Sequence, residues 1–200
     1  MKCHYGDRIA YHRCARTGEY VCMEHARLDI VSVATRAVQS PLHVRHARSA
    51  DYDQIREMAL VYWGETDVDC FGRTYDVLRA PALVVECDEE LAGVLSYWVE
   101  EEDDRLNVVM LNVHSQFQGR RAARSLLERP EQEARALSLS RLVVATSNDD
   151  LPALYVYQRC GFHITGTVPG AVLAHHGCEE VGFACIPVRH EIRLAKCLSV

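Results

Sequence analysis

Val108-Val109-Met110-Leu111-Asn112-Val113-His114-Ser115-Gln116-Phe117-Gln118-Gly119-Arg120-Arg121-Ala122-Ala123, continued by Arg124-Ser125-Leu126-Leu127-Glu128, passes from an apolar run through a tight turn into a helical pattern. The run predicts a strand over 105–113 and the pattern a helix from about Gly119. A helix start of this kind is a ready anion site. Its first N–H groups have no intrahelical partner, and the helix dipole is positive there. Gly119, Ala122 and Ala123 are small enough to let a phosphate approach the backbone, and Arg120, Arg121 and Arg124 add positive charge. These residues alone point to a phosphate-containing ligand; the plainer alternative is a basic, solvated helix start.

The surrounding pattern is a mixed α/β one. Leu42–His46 alternates as a strand. Ser49 is placed to cap a helix, with Asp51 in its first turn. Ile55, Met58, Ala59 and Tyr62 then follow helical spacing. Residues 64–80 read as irregular, with a short helix expected around Tyr75–Arg79. Leu83–Cys87 and Leu91–Glu100 form a hairpin about the Asp88–Glu90 turn, and Arg105–Val113 is the third consecutive strand. Leu142–Thr146 reads as a buried strand. A helix from Leu151 to Cys160 starts after Asp150, a good cap, with Pro152 in its first turn, and stops at Gly161. Strands around Phe162–Val168 and Glu180–Leu194 complete the chain. Pro130 predicts that the helix starting near Gly119 either kinks there or ends at Arg129. The expected fold is α/β in the α+β sense, a mixed, mostly antiparallel sheet flanked by helices.

Two motifs resemble the GNAT superfamily of N-acetyltransferases. Gln118 to Ala123 is similar to the family's acetyl-CoA motif, Gln/Arg-x-x-Gly-x-Gly/Ala, with Gln118 first and Ala123 last. Arg121 stands where the family has Gly; a left-handed backbone there would be strained for Arg, whereas helical geometry would tolerate it. Ala153, Tyr157, Gly161 and Phe162 match the C-terminal signature, with Asp150 where the family usually has Asn. The resemblance covers residues 42–200. It implies a GNAT-type sheet and acetyl-CoA as co-substrate. The implied cofactor contacts are Leu111, Val113, Gln118, Gly119, Arg120, Arg121, Ala122, Ala123, Arg124 and Asp150. It also implies that the strands 105–113 and 142–146 splay apart into a slot.

The chemistry implied is acetyl transfer to a primary amine. The reaction passes through a tetrahedral adduct and expels a thiolate, which benefits from a proton. By the resemblance Tyr157 is the general acid. Tyr155 lies about 200° round the same helix, so the two cannot share the role. Many family members place a Glu on the strand matching Arg105–Val113, but this chain has Asn107 at that position and no carboxylate on the strand. Glu100 and Glu101 end the previous strand, and a water chain to solvent serves equally well as the route for the amine's proton.

Residues 1–40 read as a separate unit from residues 41–200. They hold six basic and four acidic residues, leaving a formal −8 for the remainder of a chain whose net charge is −6. So acidic a balance disfavours a nucleic-acid partner. A 48% hydrophobic content excludes whole-chain disorder, and the sequence has no apolar run of membrane-spanning length. The start Met1-Lys2-Cys3-His4-Tyr5 lacks an apolar signal region, so the reducing cytoplasm is the expected compartment. Three of the nine cysteines fall in the first 22 residues, as Cys3-x10-Cys14-x7-Cys22-x2-His25. So short a segment cannot build its own core. Cys3, Cys14, Cys22 and His25 therefore suggest a structural, tetrahedral zinc module, with His4 and His12 as competing ligands. The segment resembles B-box-like or AN1-like fingers that lack one ligand pair. The alternative to an active enzyme is a catalytically weak acyl-CoA-binding protein whose zinc module recruits a protein partner.

Overall fold

The computed structural model describes residues 41–198 and the antiparallel pair of two-residue strands β1 (His12–Arg13) and β2 (Tyr20–Val21). After Pro41 come β3 (His43–His46), a 3-10 turn Ser49–Asp51 and α1 (Tyr52–Trp63). The hairpin β4 (Asp67–Cys70) and β5 (Arg73–Asp76) follows, then β6 (Ala82–Cys87), β7 (Glu90–Glu100) and β8 (Arg105–Val113). Helix α2 (Ala122–Ala136), β9 (Arg141–Ser147), α3 (Leu151–Arg159), β10 (His163–Val168) and α4 (Ala171–His176) come next. Two short strands, β11 (Glu180–Val181) and β12 (Pro187–Val188), precede β13 (Glu191–Cys197).

The main sheet has seven strands in the order β10-β13-β9-β8-β7-β6-β3. Every pair in it is antiparallel except β8 with β9. Alternation along the central strands divides the core into two layers. Leu83, Val85, Leu95, Leu106 and Val108 pack with Leu126 and Leu127 of α2 and with Tyr157 of α3. Val84, Val94, Val109 and Met110 pack with Ile55, Met58 and Ala59 of α1 and with Val68, Cys70 and Tyr75 of the hairpin. Both faces of the sheet are covered, which is why β6 reads as a continuous apolar run rather than an alternating one.

Several sequence expectations need correction. Residues 64–80 are not irregular, and no helix forms around Tyr75–Arg79. Val68, Cys70, Tyr75 and Val77 instead turn one face into the core around a Phe71-Gly72 turn, whose φ angles are 57° and 77°. Two left-handed residues in succession make a primed turn, which suits the twist of a hairpin. The Phe71 ring is held in this conformation by cation–π contacts with the guanidinium groups of Arg105 (5.5 Å) and Arg193 (5.6 Å).

Ser49 caps nothing. Asp51 is the residue before α1, and its carboxylate accepts the Arg48 N–H and pairs with Arg45 at 2.7 Å. Helix α2 begins at Ala122, not Gly119, because Gly119 and Arg121 are both left-handed. It runs on through Pro130 to Ala136. The proline is buried against the sheet, and that packing outweighs its missing N–H. The strand expected over Glu180–Leu194 is broken. Pro187 cannot donate to a ladder, and Ala184 and Cys185 are left-handed, so the chain folds back on itself before β13 begins at Glu191.

Candidate functional site

The pairing of β8 with β9 stops at Val108 with Val144. On the other side of β8 the register with β7 shifts between Ser96–Met110 and Tyr97–Val108, which makes Val109 an extra, bulged residue. A bulge sharpens strand twist, and it sits at the point where β8 leaves β9. Beyond it Leu111, Asn112 and Val113 pair with β7 only, while β9 continues to Ser147 paired with β13. The result is a wedge between Val109–Val113 and Ala145–Ser147, the splay expected for these strands. Asn112 is 9% exposed; its Oδ1 accepts from Trp63 Nε1 at 2.8 Å, and its Nδ2 is buried with no partner. A buried donor left open on a strand with one free edge fits a ligand carrying amide carbonyls.

The turn that leads out of the wedge is built by local hydrogen bonds. His114 donates to Ala92 O at 2.9 Å, and Gln118 Nε2 donates to Val113 O at 3.2 Å. Gly119 has φ 77°, with open space around its Cβ position. Ser125 is bonded to Arg121 O at 3.0 Å. By helix geometry the N–H groups of Ala122, Ala123 and Arg124 precede the first intrahelical bond, and no side chain caps them. Arg121 is exposed, Arg120 lies over the Phe117 ring, and Arg124 pairs with Glu128 at 3.0 Å. These features suit a diphosphate.

Arg121 is left-handed at φ 69°, the strained alternative of the two expected. That conformation costs an L-residue about 1–2 kcal/mol, and the extra freedom of Gly in the unfolded chain offsets about 0.5–1 of it. Arg121→Gly should therefore raise stability by about 0.5–1 kcal/mol. Thermal unfolding checks this, and a lowered midpoint would contradict it.

On the far side of the wedge α3 orients Tyr157. Asp150 caps the helix: Oδ1 accepts from Ala153 N–H at 3.0 Å and Oδ2 from Thr146 Oγ1 at 3.3 Å. Both oxygens are thus engaged inside the protein, and burial pushes the carboxyl pKa up. Tyr155 is 66% exposed and Tyr157 only 5%. The Tyr157 ring packs on Phe162 with centroids 5.8 Å apart. Burial, with smaller effects from Asp150 and two cysteines, pushes its hydroxyl pKa well up, and among the described residues no hydrogen bond engages that hydroxyl. It stays protonated and available as a donor.

A second polar group sits under the β4–β5 hairpin. Tyr75 donates to Glu100 Oε1 at 2.7 Å and accepts from Asn107 Nδ2 at 3.0 Å. Arg73 and Arg105 both reach Glu100, at 2.9 and 2.6 Å. Burial pushes the Glu100 carboxyl up, but hydrogen bonds from Arg105 and Tyr75 outweigh it and hold it at about 2. So weak a base is a poor acceptor for an ammonium proton. Glu100, which is linked to Asn107 through the Tyr75 hydroxyl, is therefore structural. Sequence reading could not show this, because two of the partners of Glu100, Arg73 and Tyr75, come from an unexpected hairpin.

Cys3, Cys14, Cys22 and His25 lie outside the described residues. Among the described residues no helix is long and apolar enough to cross a membrane.

Known proteins match this architecture. The Bacillus subtilis protein YxbD is 27% identical over 113 residues, 54% of this chain and 69% of its own. An IAA acetyltransferase from Bacillus cereus superposes with a TM-score of 0.66 at 21% identity, covering 79% of this chain and all of that one. A Bacillus subtilis acetyltransferase solved in complex with CoA gives 0.66 at 20% identity, over 80% of this chain and all of that one. The model of the acetyltransferase (GNAT) family matches residues 52–162. That span runs from α1 through the bulged strand, the wedge and the uncapped helix to Phe162, and the chain belongs to the GNAT acetyltransferase family.

Proposed function

We propose that this acetyltransferase moves an acetyl group from acetyl-CoA to a primary amine in a ternary complex, with Tyr157 as general acid. The observations that support the proposal are an open edge on β8, an uncapped basic start to α2 and a buried tyrosine on α3, the helix that follows β9. The diphosphate binds the N–H groups of residues 119–124, with Arg120, Arg121 and Arg124 around it. Gln118 braces the turn through Val113 O. The amide-rich arm adds to the free edge of Leu111–Val113, where Asn112 Nδ2 offers a further donor. Asp150 acts on the site by holding α3, not through a free carboxylate.

When bound, acetyl-CoA supplies the acyl group and a thiolate leaving group. The hydroxyl of Tyr157 donates the proton that neutralises the departing sulfur, and the surrounding core excludes water from that exchange. Glu100 does not take the amine's proton; solvent reached through the open mouth of the wedge does. A CoA-release assay over a panel of primary amines tests the reading. Release that depends on an amine supports it, and release that is absent or amine-independent with the whole panel contradicts it.

The proposal keeps a structural zinc at Cys3, Cys14, Cys22 and His25, on sequence grounds. Residues 1–40 are too short to fix these side chains by apolar burial, so the metal would supply that segment's folding energy. Chelator-free protein should carry zinc, and its removal should leave acetyl-CoA binding intact. Protein purified without zinc, or loss of acetyl-CoA binding on chelation, would contradict this part of the reading.

A further inference from the structure

The segment between β10 and β13 crosses from the β9–α3 loop to the loop after α1. At one end it is anchored to the β9–α3 loop. Asn148 Oδ1 accepts the N–H groups of Arg189 and His190, both at 2.8 Å, and Asn148 Nδ2 donates to Pro187 O at 2.9 Å. Asp149 Oδ2 accepts from Phe183 N–H at 3.0 Å. At the other end α4 reaches the loop after α1, on the β8 side of the wedge. There His175 Nε2 lies 2.7 Å from Glu65 Oε1. Glu65 follows Trp63, whose indole holds Asn112 on β8.

Around this second anchor, Glu65, His175 and His176 each bring one donor atom to within 4.8 Å of the others. We propose that these three residues form a binding site for a divalent first-row transition ion such as Zn2+, which would clamp the crossing segment to the α1–β4 loop. Three observations carry this. The donor set, two imidazoles and a carboxylate, suits such an ion and leaves a position open for water. The Nδ1 of His175 lies 2.8 Å from Asp69 Oδ2, and the Nδ1 of His176 lies 3.2 Å from Glu180 Oε1. A carboxylate on Nδ1 is the outer arrangement that orients metal-bound histidines, and the ion would displace the proton that His175 Nε2 now shares with Glu65 Oε1. The two rings are also edge-to-face with centroids 5.2 Å apart, so they are presented together from the end of one helix and not from a floppy tail. Three elements converge on the site: the loop after α1, β4 and the end of α4. No part of the acyl-transfer reading is needed for it.

The test uses the full chain, stripped of metal and titrated with Co2+, as wild type, His176→Gln and Glu65→Gln. Both substituted side chains are partly exposed, at 30% and 39%, so the fold should persist, which circular dichroism checks. The wild type should bind one Co2+ per chain more than either variant. The lost equivalent should show no thiolate-to-cobalt absorption, which separates it from any ion held by the N-terminal cysteines. Equal stoichiometry in all three proteins would overturn the proposal. So would a lost equivalent that carries the thiolate band.

Discussion

Tyr157→Phe lowers kcat by about 10²–10⁴-fold, the range for loss of a positioned general acid. The KM for acetyl-CoA stays close to wild type, because the ring that packs on Phe162 is retained and only the transition-state contact is lost. Stability is also nearly unchanged, since the hydroxyl removed has no hydrogen bond among the described residues. The pH profile carries a second expectation. Burial pushes the hydroxyl pKa up, so the donor stays protonated through the range in which an ordinary tyrosine would ionise, near about pH 10. The wild-type rate should therefore show no falling limb from this group below that pH. Steady-state kinetics on both proteins checks each point. Unaltered turnover in Tyr157→Phe would reduce Tyr157 to a core residue.

Glu100→Gln should destabilise the fold by about 2–3 kcal/mol, below the 3–5 of a wholly buried pair because Arg73 is largely exposed and Arg105 keeps Asp103. The variant removes the charge that collects Tyr75, Arg73 and Arg105, so the β4–β5 hairpin should loosen first. The same group makes stability depend on acid. Its folded pKa of about 2 lies below the ordinary 4.5. Its contribution is thus complete above 4.5, and is lost as pH falls from there through about 2. Chemical denaturation of both proteins across that window checks this. The wild-type advantage should shrink as the solution is acidified, and an advantage that grew in acid would contradict the assignment.

The parts of the fold legible in the sequence are those with strong local signals. The β6–β7–β8 run of apolar strands, α1 with its Ile55, Met58 and Ala59 stripe, and α3 between Asp150 and Gly161 follow from periodicity and capping. The splay of β8 from β9 came with the family motif, but its cause did not: a bulge at Val109 shows only in the pairing register. The β4–β5 hairpin was hidden because its turn is Phe71-Gly72, and left-handed Phe has no local rationale. Its support is the pair of contacts with Arg105 and Arg193, two residues distant in sequence. Helix α4 is only six residues long, flanked by Gly170 and Gly177, too short for a periodic signal. The motif residues 118–124 and the Asp150 cap could be read from sequence, but the left-handed backbone at Arg121 needed coordinates.

A crystal structure of the full chain with CoA tests the central claim most directly. The diphosphate should lie within about 2.7–3.2 Å of N–H groups in residues 119–124. The arm should run along Leu111–Val113 between β8 and β9, and its sulfur should point to the Tyr157 hydroxyl. Phosphates seated instead beside Arg159 and Lys196, in the cleft lined by α2 and the end of α3, would contradict the account. So would a ligand that left the wedge empty.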